Sequence, residues 1–382
     1  MRVIVVGAGI VGSSCAYHAA AAGAEVVLVD DGAQGQATAA GAGVVCPWAR
    51  ADPDPDGYRL SVAAAAYYPE LAAELAAKGA TDPGYVRVGS LHVSTDAAEL
   101  EATRRRLLDR RNDAPQVGEV TLLPPGHAYE LFPPLRSDLG GVSVEGAGRV
   151  DGRKVRDALR STAIDRYGAV ERSGHGRAVL SDGRVTGVDL PGERLLGDVV
   201  IVAAGAWTAQ FCASVGVQIA VEPQRGQIVH AELPGVDTSA WPIIEPPNDH
   251  YLLAFPGSRV VFGATRETGS GFDYRATVGG VASVLDSVLS IAPGLAAATI
   301  AETRIGFRPL SADGLPLLGG VSSVPGLVVA TGMGPTGLTL GPYAGRLVAQ
   351  LALGQQSDLD IVAFDPMRHC GQSRTGKATP SS

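Results

Sequence analysis

Gly7-Ala8-Gly9-Ile10-Val11-Gly12 places three glycines where a main chain can carry phosphate chemistry. Gly7 permits a tight turn, Gly9 lets the backbone approach a pyrophosphate, and Gly12 lets a helix pack closely on a strand. The start of the helix that follows offers free N–H groups and a positive dipole end to the phosphate charge. Asp30 comes 18 residues after Gly12. Its carboxylate can accept hydrogen bonds from a ribose, and as an anion it repels a 2′-phosphate. A glycine-rich turn alone could produce the first motif. Strand, helix, second strand and acid in register make it a dinucleotide site.

Two further segments bear on which dinucleotide. Thr38-Ala39-Ala40-Gly41-Ala42-Gly43-Val44 is a second small-residue loop, able to cross beneath a long dinucleotide at close range. Gly332-Met333-Gly334-Pro335-Thr336-Gly337 follows the last apolar strand and opens the final helix. A helix start aimed at a flavin pyrimidine ring stabilises the negative charge of the reduced ring. Together these favour FAD over NAD. Pro342 lacks an N–H and is expected in the first turn or so of that helix. Cys46 reads as a small buried thiol. No Ser-His-Asp triad or metal-ligand spacing is visible, so no metal is expected and no general base is assigned.

Positioning these groups requires a particular set of elements. Val3–Val6, Asp198–Ala203 and Leu327–Ala330 are short apolar runs far apart in sequence, each ending in a glycine-containing turn. Such runs suit buried parallel strands. The second run ends in Ala204-Gly205, which puts Gly205 among the nucleotide-side residues. Ser13–Ala22, Gly57–Lys78, Asp96–Asn112, Lys154–Tyr167, Ala276–Ile291 and a stretch from near Gly337 to about Leu353 read as helices. Tyr85–Ser94 alternates as a strand, 113–149 reads mostly as loop, and 217–275 alternates β-like segments with turns. The expected organisation is an α/β, Rossmann-like FAD-binding domain, discontinuous over 1–80, 150–216 and 300–370. An α+β substrate domain with an antiparallel sheet takes 81–149 and 217–299. The polar tail 371–382 is expected to be loose.

A chain of 382 residues with 46% hydrophobic content can build two cores. A net charge of −8 and the lack of any basic stripe exclude nucleic acid as a partner. Cys15, Cys46, Cys212 and Cys370 are scattered, as free thiols in a reducing cytoplasm would be. The Val3–Val6 run is too short for a signal peptide or membrane span. The oligomeric state is left open, a homo-oligomer included.

The chain resembles the D-amino-acid oxidase family of flavoproteins, most closely its glycine oxidase and D-amino-acid dehydrogenase branch. The motifs are VIVVGAGIVGSSCAYHAAAAG, VLVDDGAQGQATAAGAG, YVRVGSLHV, VIVAAGAWT, EPQRGQIV, YLLAFPGSRVVFGATRETG, IGFRPLSADGLPLLG and GLVVATGMGPTGLTLGPYAGRLVAQLALG, in the family's order. The resemblance implies non-covalent FAD and oxidation of an amino acid or amine, with oxygen or an electron carrier as acceptor. It implies that Ile10 and Val11 contact the pyrophosphate and that Asp30 and Asp31 lie near the ribose. Thr38, Ala42, Gly43 and Val44 then line the flavin side, and Val170 touches the adenine region through its backbone. Gly332, Met333, Gly334, Pro335, Thr336, Gly337, Leu338 and Thr339 fall at the flavin ring. Arg308 matches the arginine that holds the substrate carboxylate, and Tyr251 the tyrosine that assists it. His250, next to Tyr251, should face away if Tyr251 is in a strand.

Two departures matter. Glycine oxidases carry a second arginine where this chain has Pro335, which weakens the case for glycine itself. A covalent sarcosine oxidase has a cysteine where this chain has Gly306, so flavin attachment there is impossible. The leading expectation is hydride transfer from the α-carbon of a D-amino acid or glycine-like substrate to the flavin. The alternatives are a secondary-amine oxidase for sarcosine-like, cyclic imino acid or modified amino acid substrates, and a flavin-binding subunit of a larger complex.

Overall fold

A computed structural model of the chain describes residues 1–50, 54–247 and 250–369. The tail 371–382 and Cys370 lie outside the described residues. The chain opens with β1 (Arg2–Val6), α1 (Ile10–Ala21) and β2 (Glu25–Asp30). Helices α2 (Pro55–Ala77) and α3 (Gly152–Tyr167) follow, then β3 (Val170–Ser173) and β4 (Val199–Val202). Next come β5 (Val221–Glu232), β6 (Tyr251–Phe255), β7 (Arg259–Gly263) and β8 (Thr299–Ser311). β9 (Leu317–Gly320), β10 (Leu327–Thr331) and α4 (Gly337–Ala352) complete the framework.

One six-stranded sheet has the order β9-β10-β4-β1-β2-β3. All its pairs are parallel except β9 with β10. The three separated apolar runs thus meet at its centre. Alternate residues of β1 serve two cores. Val3 and Val5 pack with α1, α2, α3 and α4, while Ile4 and Val6 pack with Val185, Val188 and Phe211 on the other face. A strand buried on both faces needs an unbroken apolar run, which is what the sequence has. Among the described residues no helix is long and apolar enough to cross a membrane.

A nine-stranded sheet is mostly antiparallel and includes β5, β6, β7 and β8. β8 lies along nearly the whole of β5, from Val221↔Ser311 to Glu232↔Thr299. The expected division at 300 would have given this strand to the nucleotide-binding unit; its hydrogen bonds tie it to the other sheet.

Two segments differ from the sequence reading. Tyr85–Ser94 is not one strand. Tyr85–Arg87 joins a three-stranded sheet and Ser90–Ser94 the nine-stranded one, with Gly89 at φ +74° turning the chain between them. The stretch 113–149 is richer in strands than expected, with Val120–Leu123, Gly140–Val144 and Gly148–Val150. Gly140, within that stretch, is a close-packing residue: a Cβ there would sit 2.9 Å from Leu100 Cδ1.

Pro342 lies deeper in α4 than expected, five residues after Gly337. Without an N–H it leaves the Leu338 carbonyl, four residues back, with no helical partner. The Tyr68 hydroxyl donates to that oxygen. The Ser14 hydroxyl donates to the Pro342 carbonyl at 2.6 Å, joining α4 to α1. Tyr68 is fully buried, so its hydroxyl is held at that carbonyl. Tyr68→Phe should therefore lower unfolding free energy by about 1–3 kcal/mol, the usual consequence of an unmet buried acceptor. Urea denaturation of the purified protein reads this out. An unchanged midpoint would show that the hydroxyl does not support the broken helix.

Candidate active site

β3, β2, β1, β4 and β10 are adjacent and parallel, so their carboxyl ends form one line. At about 4.8 Å per strand that line is roughly 19 Å long. Loops leaving those ends line a cavity of about 810 Å³. Gly174, His175 and Gly176 follow β3, and Asp30 and Asp31 end and follow β2. Gly7 and Gly9 follow β1, Gly205 follows β4, and Met333 and Gly334 follow β10. The crevice outside the carboxyl ends is where open α/β sheets bind their ligands.

The phosphate loop is built by close contact. Gly7 has φ +101°, and a Cβ on it would lie 2.4 Å from the Ala203 carbonyl oxygen. A Cβ on Gly12 would lie 1.7 Å from the Gly7 oxygen. Gly12 is therefore a packing residue and does not line the cavity, whereas Gly9, Ile10 and Val11 do. A side chain at Gly9 would meet only Thr38 Oγ1, at 3.3 Å, so the backbone there is open to a ligand. Thr38 Oγ1 accepts from the Ile10 N–H at 3.0 Å, which ties the second loop to the start of α1. Asp30 also braces the loops around it. Its Oδ2 accepts from the Ala8 N–H at 2.5 Å, and its Oδ1 from the Gly32 N–H at 2.7 Å and the Gln36 amide at 3.0 Å. Asp31 is more exposed and sits 3.1 Å from His175 Nδ1.

Val170 is not brought to the cavity. It pairs with Val27, near the amino end of β2, and is 41% exposed. Because β3 is parallel to β2, its first residue points away from the ligand edge. Gly174–Gly176 occupy the place expected of it.

Ala42, Gly43 and Val44 line the cavity as expected. Val150 donates its N–H to the Gly43 oxygen at 2.8 Å. Gly332 does not line it. It turns the chain at φ +75°, with Leu317 N 3.1 Å from where its Cβ would be. Met333 through Thr339 do line it. The Thr339 hydroxyl donates to the Val44 oxygen at 2.8 Å and so joins the last loop to the second. Gly306 faces the short helix Ala37–Ala40, where its Cβ would fall 2.7 Å from Ala40 Cβ.

The far wall comes from the nine-stranded sheet. Arg308 on β8 and Tyr251 on β6 both reach the cavity. Arg308 donates from Nη1 to the Thr265 carbonyl at 2.9 Å, and among the described residues no carboxylate is within ion-pair distance of it. Arg225, on the neighbouring strand, behaves differently: it pairs with Glu267 at 2.5 Å and Asp273 at 2.9 Å. Arg308 lies across Gly226, where a Cβ would be 2.7 Å from both Nη1 and Nη2. Burial holds its guanidinium below the usual range, with Tyr251 opposing that shift. Burial pushes the Tyr251 phenol up, against the pull of Arg308 and Arg266. The tyrosine is thus kept as an O–H donor.

Several lining residues were missed or misread. Arg266 lies within the YLLAFPGSRVVFGATRETG segment but was given no role, and Glu245 carried no motif. His250 precedes β6, so strand alternation does not turn it away, and it lines the cavity beside Tyr251. Cys46 is a buried thiol as expected, yet it stands on the cavity wall near His92 and Glu245. Burial, then the charge of Glu245, pushes the Cys46 thiol well up. Only strand pairing could have revealed that group, since His92 and Glu245 are register partners on adjacent strands.

Comparison with known proteins agrees with this architecture. Residues 2–351 match the family model described as FAD dependent oxidoreductase. The crystal structure of iminodiacetate oxidase from Chelativorans sp. BNC1 superposes with a TM-score of 0.93 at 47% identity, covering 96% of this chain and 99% of that one. An uncharacterized oxidoreductase, YurR, of Bacillus subtilis is 43% identical over 95% of this chain and 98% of its own length. Glycine oxidase of Geobacillus kaustophilus is 29% identical, over 97% of each chain. The crevice, its glycine loop and the acid at the end of β2 fit FAD, and the chain belongs to the FAD-dependent oxidoreductase family typified by D-amino-acid and glycine oxidases.

Proposed function

We propose that this flavoenzyme oxidises a small secondary amine bearing at least one carboxylate, an N-substituted glycine such as iminodiacetate. One observation carries the reading: Arg308 is presented to the cavity beside Tyr251 with no acid of its own among the described residues. A largely buried guanidinium without an acidic partner is a site for an anion brought by the ligand. Its planar fork holds a carboxylate by two parallel hydrogen bonds, and the Tyr251 hydroxyl can donate a third. Arg266 is a second guanidinium on the same wall, near enough for its charge to act on both Arg308 and Tyr251. Pro335, in place of a glycine oxidase arginine, argues against glycine. The similarity to iminodiacetate oxidase supports the same choice.

In this reading the sheet edge holds FAD non-covalently, and the nine-stranded sheet supplies the substrate wall. Asp30 serves the ribose, Gly9–Val11 the pyrophosphate, and Ala42–Val44 with Met333–Thr339 the flavin. The bound flavin supplies the hydride acceptor. The chain's own task is orientation: fixing the carboxylate fixes the carbon between it and the nitrogen. The product is an imine, which water hydrolyses.

Arg308→Lys keeps the charge and loses the fork. It should slow flavin reduction by iminodiacetate by roughly 100-fold, as expected for a misplaced substrate. Gly226→Ala should have a similar effect, because its methyl would occupy the guanidinium's place. FAD content should stay normal in both. Anaerobic stopped-flow with iminodiacetate and with a matched amine lacking carboxylates is the measurement. Equal loss on both substrates would rule out a carboxylate clamp.

Asp30→Ala should weaken FAD binding by about 1.5–3 kcal/mol, since charge-assisted hydrogen bonds at the nucleotide end are lost. The carboxylate also holds the Ala8 and Gly32 amides, so the loop should loosen as well. Acid precipitation should release the flavin of the parent protein into the supernatant. Titration of the apoprotein with FAD gives the dissociation constant; an unchanged value in the variant would remove Asp30 from the nucleotide site.

A further inference from the structure

We propose that Cys46, His92 and Glu245 form a zinc site on the cavity wall, open toward the substrate, through which zinc blocks turnover. The Cys46 sulfur, a His92 ring nitrogen and a Glu245 carboxylate oxygen lie within 4.8 Å of one another. His92 Nε2 and Glu245 Oε1 are 3.4 Å apart. Zinc holds nitrogen and oxygen ligands at about 2.0–2.1 Å in a tetrahedron, which sets neighbouring ligands about 3.3 Å apart. The pair is thus already at the separation of two ligands on one ion. Neither of these atoms has a hydrogen-bond partner, although both are shielded from solvent. Buried polar atoms are normally satisfied, so this pair calls for a third participant. A cation between them meets that requirement.

The donors are held by the fold. His92 and Glu245 are Cα partners on parallel strands, so their side chains share one face of the sheet. Ser90 lies two residues before His92 on that face, and its hydroxyl is 3.5 Å from Cys46 Sγ. A ligand that hydrogen-bonds to a second residue is oriented before the metal arrives. Thiolate, imidazole and carboxylate favour zinc over magnesium or calcium, which prefer oxygen. A thiolate and a carboxylate together match the two positive charges. All three residues line the cavity, so a fourth ligand position faces it. Metal there would narrow the cavity and draw a substrate carboxylate away from Arg308. That blocking effect rests on the substrate reading above; metal binding itself does not.

The test uses the FAD-loaded protein, freed of metal by chelator and dialysis. Cadmium is the spectroscopic probe, because a thiolate bound to it gives an ultraviolet charge-transfer band. The band should saturate at one cadmium per chain and be displaced by zinc. It should vanish in Cys46→Ala, and His92→Gln and Glu245→Gln should each weaken zinc binding by at least roughly tenfold. Flavin absorbance and melting temperature report folding; if Cys46→Ala fails to fold, the other two variants carry the test. Absence of the band, or its persistence in Cys46→Ala, would overturn the site. Undiminished affinity in both His92→Gln and Glu245→Gln would reduce it to a lone thiol and overturn it equally. In turnover, zinc should raise the apparent KM for iminodiacetate in the parent and much less in His92→Gln. One zinc bound with no such inhibition overturns the blocking role alone. No turnover of iminodiacetate in any form overturns the substrate reading and leaves the metal titration standing.

Discussion

β1 is hydrogen-bonded in parallel to β2 on one side and to β4 on the other, and the cavity depends on that arrangement. Parallel pairing brings the carboxyl ends of strands from three distant segments to one edge. Their loops then emerge together: the glycine turn after β1, the acid ending β2, Gly205 after β4 and Met333 after β10. The edge is stabilised by contact as well as by the ladder. Gly7 approaches the Ala203 oxygen and Gly12 approaches Gly7, closer than any side chain would allow. Helix α1 can therefore begin at the sheet edge, with its amino end at the crevice.

A second constraint comes from the long ladder between β5 and β8. It places Gln224 opposite Arg308 and leaves Gly226 beneath the guanidinium. The absence of a side chain at Gly226 gives Arg308 its place. The adjacent Arg225 is saturated by Glu267 and Asp273. Acids are thus supplied where an arginine is structural, and none is supplied to Arg308 among the described residues. That contrast separates the two roles. In the proposed reading, the anion that compensates Arg308 comes with the ligand.

The cavity wall is divided in charge. In the function proposed above, Arg308 and Tyr251 make one part of it a receptor for anions. Cys46, His92 and Glu245 make another part a receptor for cations. A substrate with carboxylates at either side of a nitrogen would meet the first set, and a metal ion the second. Different strand pairings fix the two sets. His92 and Glu245 are fixed by the strand pairing of Ser90–Ser94 with Ile243–Glu245, whereas Arg308 is fixed by β8.

Local physics made much of this legible in the sequence. Glycine spacing, apolar runs without alternation and an acid at a strand end are all short-range signals, and they gave the Rossmann-like unit and its nucleotide. The resemblance of GFRP and HYLLAFPG segments to the D-amino-acid oxidase family pointed to Arg308 and Tyr251. Tertiary structure decided the rest. Val170 dropped out because its strand is parallel to β2 and starts at the wrong end. Gly332 proved to be a turning residue outside the cavity, a distinction that depends on what a Cβ would strike. Pro342 could sit inside a helix because Tyr68, remote in sequence, meets the carbonyl it frees. The Cys46–His92–Glu245 group was not legible for the same reason. Its chemistry arises from strand register across long separations, and no local pattern of residues encodes it.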